Sequence, residues 1–216
     1  MASSADLPSS AFNRAFGHRM LPQLLDRMLA FFARAGRPGW ILAADAPWSG
    51  AIAGRRGVIL VTDTADVTSE APRSDAAAVI REIDAGEADT WSQTLVEASG
   101  IKAPEAAAWT EATRALVGKH GRHHLVAELD GQPVGVGGLF TRRRVGYLAT
   151  AAVLPSARGR GLQRALIEAR IRIAAERHCT VVAASAVADS VSAANLVQMG
   201  FRPIHEYALY RVDGVG

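Results

Sequence analysis

Three short apolar runs follow one another at residues 124–129, 134–140 and 145–154, and the last opens through a glycine-containing basic turn into a helical pattern at 162–177. The runs are too short and too closely spaced for helices. Their connections carry turn chemistry: Asp130-Gly131-Gln132-Pro133 predicts a hairpin, and Arg142-Arg143-Arg144 sits where a second, charged turn belongs. Three antiparallel strands feeding a helix restrict the chain to a sheet with helices packed on it. Pro155 ends the third strand by removing a ladder donor. In the helix that follows, Leu162, Ala165, Leu166, Ala169 and Ile173 make one apolar face, with Glu168 and Arg172 spaced four apart on the other.

The rest of the chain supplies further elements. Apolar residues between 19 and 35 recur at helical spacing, and Gly36 and Pro38 end that pattern. Residues 40–44 and 58–62 suit short strands. Residues 63–75, rich in Thr, Ser, Asp and Pro, have the composition of a linker, which places a boundary between a segment 1–70 and a domain 76–212. Beyond it, 78–83 suits a strand, and 87–98 and 106–117 suit helices. After the three strands and their helix come a strand at 180–187, a helix at 191–199 closed by Gly200, and a strand at 201–212. The order β-α-α-β-β-β-α-β-α-β reads as an α/β (α+β) fold with a mixed, mostly antiparallel sheet flanked by helices.

Composition bounds the function. At 216 residues the chain has ample length for one domain plus a fragment, and a net charge of +3 permits anionic ligands without the basic stripe of a nucleic-acid binder. A single cysteine, Cys179, lies between a helix and an apolar strand, so a buried structural thiol is expected and a disulfide or cysteine-based zinc site is not. No apolar run reaches the length of a membrane span, and the N-terminus lacks leader-like character; a cytoplasmic protein is expected.

The chemistry concentrates in the turn after the third strand. Gly159 and Gly161 let an anion approach the backbone, the first amides of the helix point at it, and Arg158, Arg160 and Arg164 add full charges. A phosphate cradle is the expected use.

With this order of elements, the segment Arg158-Gly159-Arg160-Gly161-Leu162-Gln163 resembles the Gln/Arg-x-x-Gly-x-Gly/Ala motif of the GNAT superfamily of acyl-CoA-dependent N-acetyltransferases, over about residues 76–212. Gln163 departs from the small residue usual there. The segment from Ser192 to Phe201, ending in Gly200-Phe201, is similar to the family's late helix. The resemblance implies acetyl-CoA as acyl donor, no metal, and a pyrophosphate at Arg158 to Arg164. It also implies a pantetheine arm beside Ala151, Ala152 and Val153 where two strands splay, and a contact from Asn195. One of the strand amides would then polarise the thioester carbonyl.

Catalytic groups are harder to read. The family's usual tyrosine acid falls on Leu196, and the third strand holds no carboxylate. Tyr207, with Tyr210 beside it on the last strand, is the substitute acid. Glu128 leads the candidate bases, ahead of His123, His124, Glu206 and water; one of the two histidines should face outward. Tyr147 and Thr150 are placed to line an acceptor cleft. The expected reaction is acetyl transfer to a primary amine, preferably of a small molecule, by direct attack in a ternary complex. A peptide N-acetyltransferase and a CoA-binding module without activity are the alternatives, in a monomer or homodimer binding neither nucleic acid nor membrane. Only sixteen residues follow Gly200, cramped for the two strands that usually finish the fold it resembles, so strands within 40–62 are expected to complete or extend the sheet with helix 19–35 beside them, an N-terminal α/β extension making a partial GNAT-like half; a separate regulatory or dimerisation appendage is the other possibility.

Overall fold

Both central hairpins close on two residues. A computed structural model describes residues 14–16, 22–34, 39–49, 51, 53–66 and 78–212. In it β5 (Arg122–Leu129), β6 (Gln132–Arg142) and β7 (Val145–Val153) run antiparallel in succession. Leu129 faces Gln132, so Asp130 and Gly131 alone make the first turn, with φ of 51° and 73°. Two left-handed residues in a row suit the twist of paired strands, which is why Asp-Gly marks such a loop. Arg142 faces Val145 across the second turn, so the basic triplet is a charged hairpin end.

The described chain divides into two compact units that interleave along the sequence. The larger comprises residues 60–185 and 195–202. There β4 (Ala78–Ile83) pairs antiparallel with β5, and β8 (Val181–Val187) pairs parallel with β7, giving the order β8-β7-β6-β5-β4. Parallel neighbours need a long crossover, and α4 (Leu162–Glu176) supplies it. Helices α2 (Ala88–Ala98) and α3 (Glu105–Arg114) fall between β4 and β5. Trp91 and Leu95 of α2 pack with Ile83, Val117, Val126 and Val136, and the Trp91 indole donates to the Leu125 carbonyl at 3.0 Å.

Helix α4 is buried more widely than a single stripe. The five residues of its predicted face are covered, and so are Ile167, Arg170, Ile171 and Ala174. Glu168 pairs with Arg164 at 2.8 Å, one turn earlier, and not with Arg172 as the spacing suggested. Cys179 is buried, and burial pushes its thiol up, as expected of a structural cysteine.

The smaller unit draws on residues 1–59, 186–194 and 203–216. In it α1 (Pro22–Arg34) lays Met28 and Phe32 on strands β2 (Gly39–Ala43) and β9 (Arg202–Val212). β2 pairs antiparallel with β9 from Gly39↔Val212 to Ala43↔Ala208, and β1 (Arg14–Phe16) joins β2 in parallel. An early strand thus pairs with the last one. Strand β3 (Ala53–Asp63) and helix α5 (Val191–Gln198) each contribute to both units. The predicted linker lies largely within 67–77, outside the described residues.

Candidate functional site

The site begins with a fault in the sheet. Gly137 of β6 faces Ala151 of β7, and Leu139 faces Leu148, so β7 uses three steps where β6 uses two. The extra residue makes a bulge at Ala149 and Thr150, opposite Gly138. On its other edge β7 pairs with β8 from Val145↔Val181 only as far as Leu148↔Ala184. Strand β7 continues to Val153, still paired with β6 through Ala151, Ala152 and Val153. Among the described residues no strand pairs with the opposite flank of that stretch, and Thr150 and Ala151 are exposed. A strand with one open flank inside a sheet offers backbone donors and acceptors to an extended ligand.

The glycine turn follows directly. The Leu154 amide donates to Val134 at 2.8 Å, holding the end of β7, and Pro155–Ala157 forms a single 3-10 turn. Arg158 folds back, donating from Nε to the Val153 carbonyl at 3.2 Å and from Nη2 to the Ala98 carbonyl at 3.4 Å. Gly159 and Gly161 have φ of 79° and 75°, a region L side chains enter at a cost, and Gly161 precedes α4 without a side-chain cap or an acidic residue in the first turn. An uncapped, acid-free helix start beside exposed Arg160 suits an anion. Arg164 is less available, since Glu168 neutralises it. Buried Leu162 anchors the helix beneath the turn.

Gln163 does not crowd the turn with an unsatisfied amide. Its Oε1 accepts from Asn195 Nδ2 at 3.0 Å, so the two segments that carry the family resemblance are joined side chain to side chain.

The catalytic candidates are scattered. Glu128 accepts from Arg81 Nε and Nη2 at 3.1 and 2.7 Å, and Arg81 also clasps Glu87 at 2.6 and 2.8 Å. The guanidinium holds Glu87 below the usual carboxylate range. His123 and His124 are both buried, against the expectation that one faces outward, because β5 is covered on both faces. His123 Nδ1 meets Glu82 at 2.7 Å, and the residue lines a cavity of about 680 Å³ with His120, Phe140 and Arg177. That cavity adjoins the Val145 end of β7, whereas the glycine turn follows Val153. His124 meets Trp91 edge-on at 4.7 Å, and burial, with Arg122 and His123 adding to it, pushes its imidazole down to about 4. Tyr207 and Glu206 belong to the smaller unit: a Cβ on Gly57 would strike the Tyr207 ring at 2.4 Å, and Glu206 is bonded to Arg56. Leu196 is buried.

Two features escape a reading of the sequence alone. Tyr147 and Ser185 share a 2.7 Å hydrogen bond across the fork where β7 and β8 part. Arg170 of α4 donates to the carbonyls of Gly138 and Ala149 at the bulge. The only advance signal for Arg170 was its place four residues after Leu166, on the apolar stripe. Among the described residues no helix is long and apolar enough to cross a membrane, and no group of His, Cys, Asp or Glu is arranged to hold a metal ion.

Solved structures share this fold. A GCN5-related N-acetyltransferase from Kribbella flavida superposes with a TM-score of 0.67 at 16% identity, covering 94% of this chain and 82% of that one. A tandem GNAT protein from the clavulanic acid biosynthesis pathway gives 0.65 at 14% identity, over 90% and 70% of the two chains. The aminoglycoside N-acetyltransferase AAC(6′)-Iy, solved in complex with CoA, gives 0.51 at 19% identity, over 59% and 90%. No curated protein matches in sequence. The family model described as the acetyltransferase (GNAT) family matches residues 87–201, a span that holds the bulged strand, the glycine turn and the late helix, and the chain belongs to that family.

Proposed function

We propose that the protein is an acyltransferase that moves the acetyl group of acetyl-CoA to a primary amine, with a small molecule as acceptor. The observation that carries this reading is the open flank of β7 running straight into the glycine turn, which together match an extended arm ending in a pyrophosphate. The pyrophosphate is assigned to Gly159, Arg160, Gly161 and the first amides of α4 through Leu162 and Gln163, with Arg158 bracing the turn. Arg164 contributes charge at the periphery, and Asn195 acts through Gln163. The arm is assigned to Ala151, Ala152 and Val153.

In this reading the neutral amine attacks the thioester carbon, a C–N bond forms and the C–S bond breaks. A backbone amide at the bulge donates to the developing oxyanion. The nitrogen loses a proton to water, and the departing thiolate takes one from a nearby hydroxyl. The Tyr147–Ser185 pair at the fork is the hydroxyl pair we assign to that second transfer. Glu128 would serve as base only after leaving Arg81, and Tyr207 contributes packing against Gly57.

The ion-paired Glu128 and the buried Leu196 favour one rival, a CoA-binding module that does not turn over. Calorimetry with acetyl-CoA and thiol release across an amine panel separate the two. Binding with amine-dependent thiol release is the expected result. Tyr147→Phe should keep acetyl-CoA affinity while slowing release by about a hundredfold to ten-thousandfold, the range of one general acid. Binding without release by any amine would establish the rival, and no binding would remove both.

A further inference from the structure

Arg170 is 2% exposed, and it sits on α4 among Leu166, Ala169, Ile173 and Ala174, all buried. Its Nε donates to the Leu166 carbonyl at 2.9 Å, and its Nη1 donates to Gly138 at 3.1 Å and Ala149 at 3.2 Å. Among the described residues no carboxylate pairs with it. Burial pushes the guanidinium down to about 10, which still leaves a cation at neutral pH, balanced by three carbonyl dipoles. An apolar residue of similar volume commonly serves a core at least as well as a buried charge, so folding stability is a weak reason to hold this one.

The location of its bonds is more informative. Ala149 is one of the two residues of the bulge and Gly138 lies opposite it, and the β7–β8 ladder stops one position before Ala149, at Leu148. Room for the guanidinium comes from β6: a Cβ on Gly137 would lie 3.0 Å from Arg170 Nε.

We propose that Arg170 is a positioning residue for the acyl donor: by holding the carbonyls of Gly138 and Ala149 from beneath the sheet, it fixes the bulge and keeps the backbone of Thr150 and Ala151 on the open flank, where the thioester arm is bound. The inference rests on the acyl-donor reading above. It separates two parts of one ligand. The pyrophosphate turn makes none of these bonds, so Arg170 bears on the arm and not on the phosphates.

The test is calorimetric, on the full chain and its Arg170→Met and Arg170→Lys variants, with two ligands: acetyl-CoA, and 3′-phosphoadenosine 5′-diphosphate, which keeps the phosphates and lacks the arm. Arg170→Met should bind the truncated ligand like the unaltered protein and acetyl-CoA about tenfold or more weakly, the scale of one or two hydrogen bonds to a charged group. Arg170→Lys, which keeps the cation but cannot span three carbonyls, should fall between them. If Arg170→Met does not fold, the same affinity ratio in Arg170→Lys decides. Unchanged acetyl-CoA affinity would overturn the proposal, and equal losses for both ligands would reduce Arg170 to scaffold. Unaltered protein that binds neither ligand would overturn the acyl-donor reading itself, a result distinct from either of these.

Discussion

Gly161 sits where the turn becomes a helix. At φ 75° it turns the chain into α4 where no side chain caps the helix, so the amides there face the turn. Gly161→Ala should weaken acetyl-CoA binding through the new Cβ and should also destabilise the fold by about 1–2 kcal/mol, the left-handed penalty of an L residue. Calorimetry beside chemical denaturation reads the two effects separately, and an alanine variant with unaltered affinity would move the phosphates elsewhere. Gly161 was legible as a turn residue because glycine between a strand and a helix has few other uses. The fate of Gln163 was not legible. Its partner Asn195 lies 32 residues away, and only folding brings two amides to 3.0 Å.

Strand β5 shows how an element sets the chemistry of its residues. A strand alternates its faces, which puts His123 and His124 on opposite sides; were one face of the sheet open, one of them would meet water. Trp91 of α2 lies against His124, and His123 sits against Glu82 of β4 and Thr141 of β6, so both rings are buried. Enclosure favours the neutral imidazole of His124, whose titration falls from about 6.5 to about 4. Above pH 6.5 the ring is neutral folded or unfolded, and the native state keeps its full stability. As pH drops from 6.5 towards 4 the unfolded chain takes up a proton that the folded chain refuses, and stability falls by up to about 3 kcal/mol before levelling off. Urea midpoints at pH 7.5, 5.5 and 4.5 measure this, and His124→Gln should flatten the dependence. The same enclosure argues against either histidine as an exposed base.

At the scale of the molecule, the chain is interleaved. Residues 39–43 pair with 208–212, and Phe32 covers that pairing so closely that a Cβ on Gly39 would meet its ring at 2.3 Å. Removing residues 1–43 strips β9 of β2 and of Met28, Phe32 and Ile41, leaving Ala208, Tyr210 and Val212 bare. Such a truncated chain should lose its cooperative thermal transition or aggregate, whereas a dispensable appendage would leave a sharp melt and unaltered acetyl-CoA binding. By itself the sequence determined both hairpins, the glycine turn and the elements other than β1, because those depend on periodicity, turn chemistry and contacts a few residues apart, while the family motifs were legible as a resemblance. The pairing of β2 with β9 was not legible, since the expectation went no further than that strands within 40–62 complete or extend the sheet. Tertiary structure alone decided that Arg81 claims Glu128, that Tyr147 meets Ser185, and that Arg170 reaches the bulge. Each of these joins residues far apart in sequence, and no local spacing reports which carboxylate, hydroxyl or carbonyl a folded chain will bring within hydrogen-bond reach of a given donor.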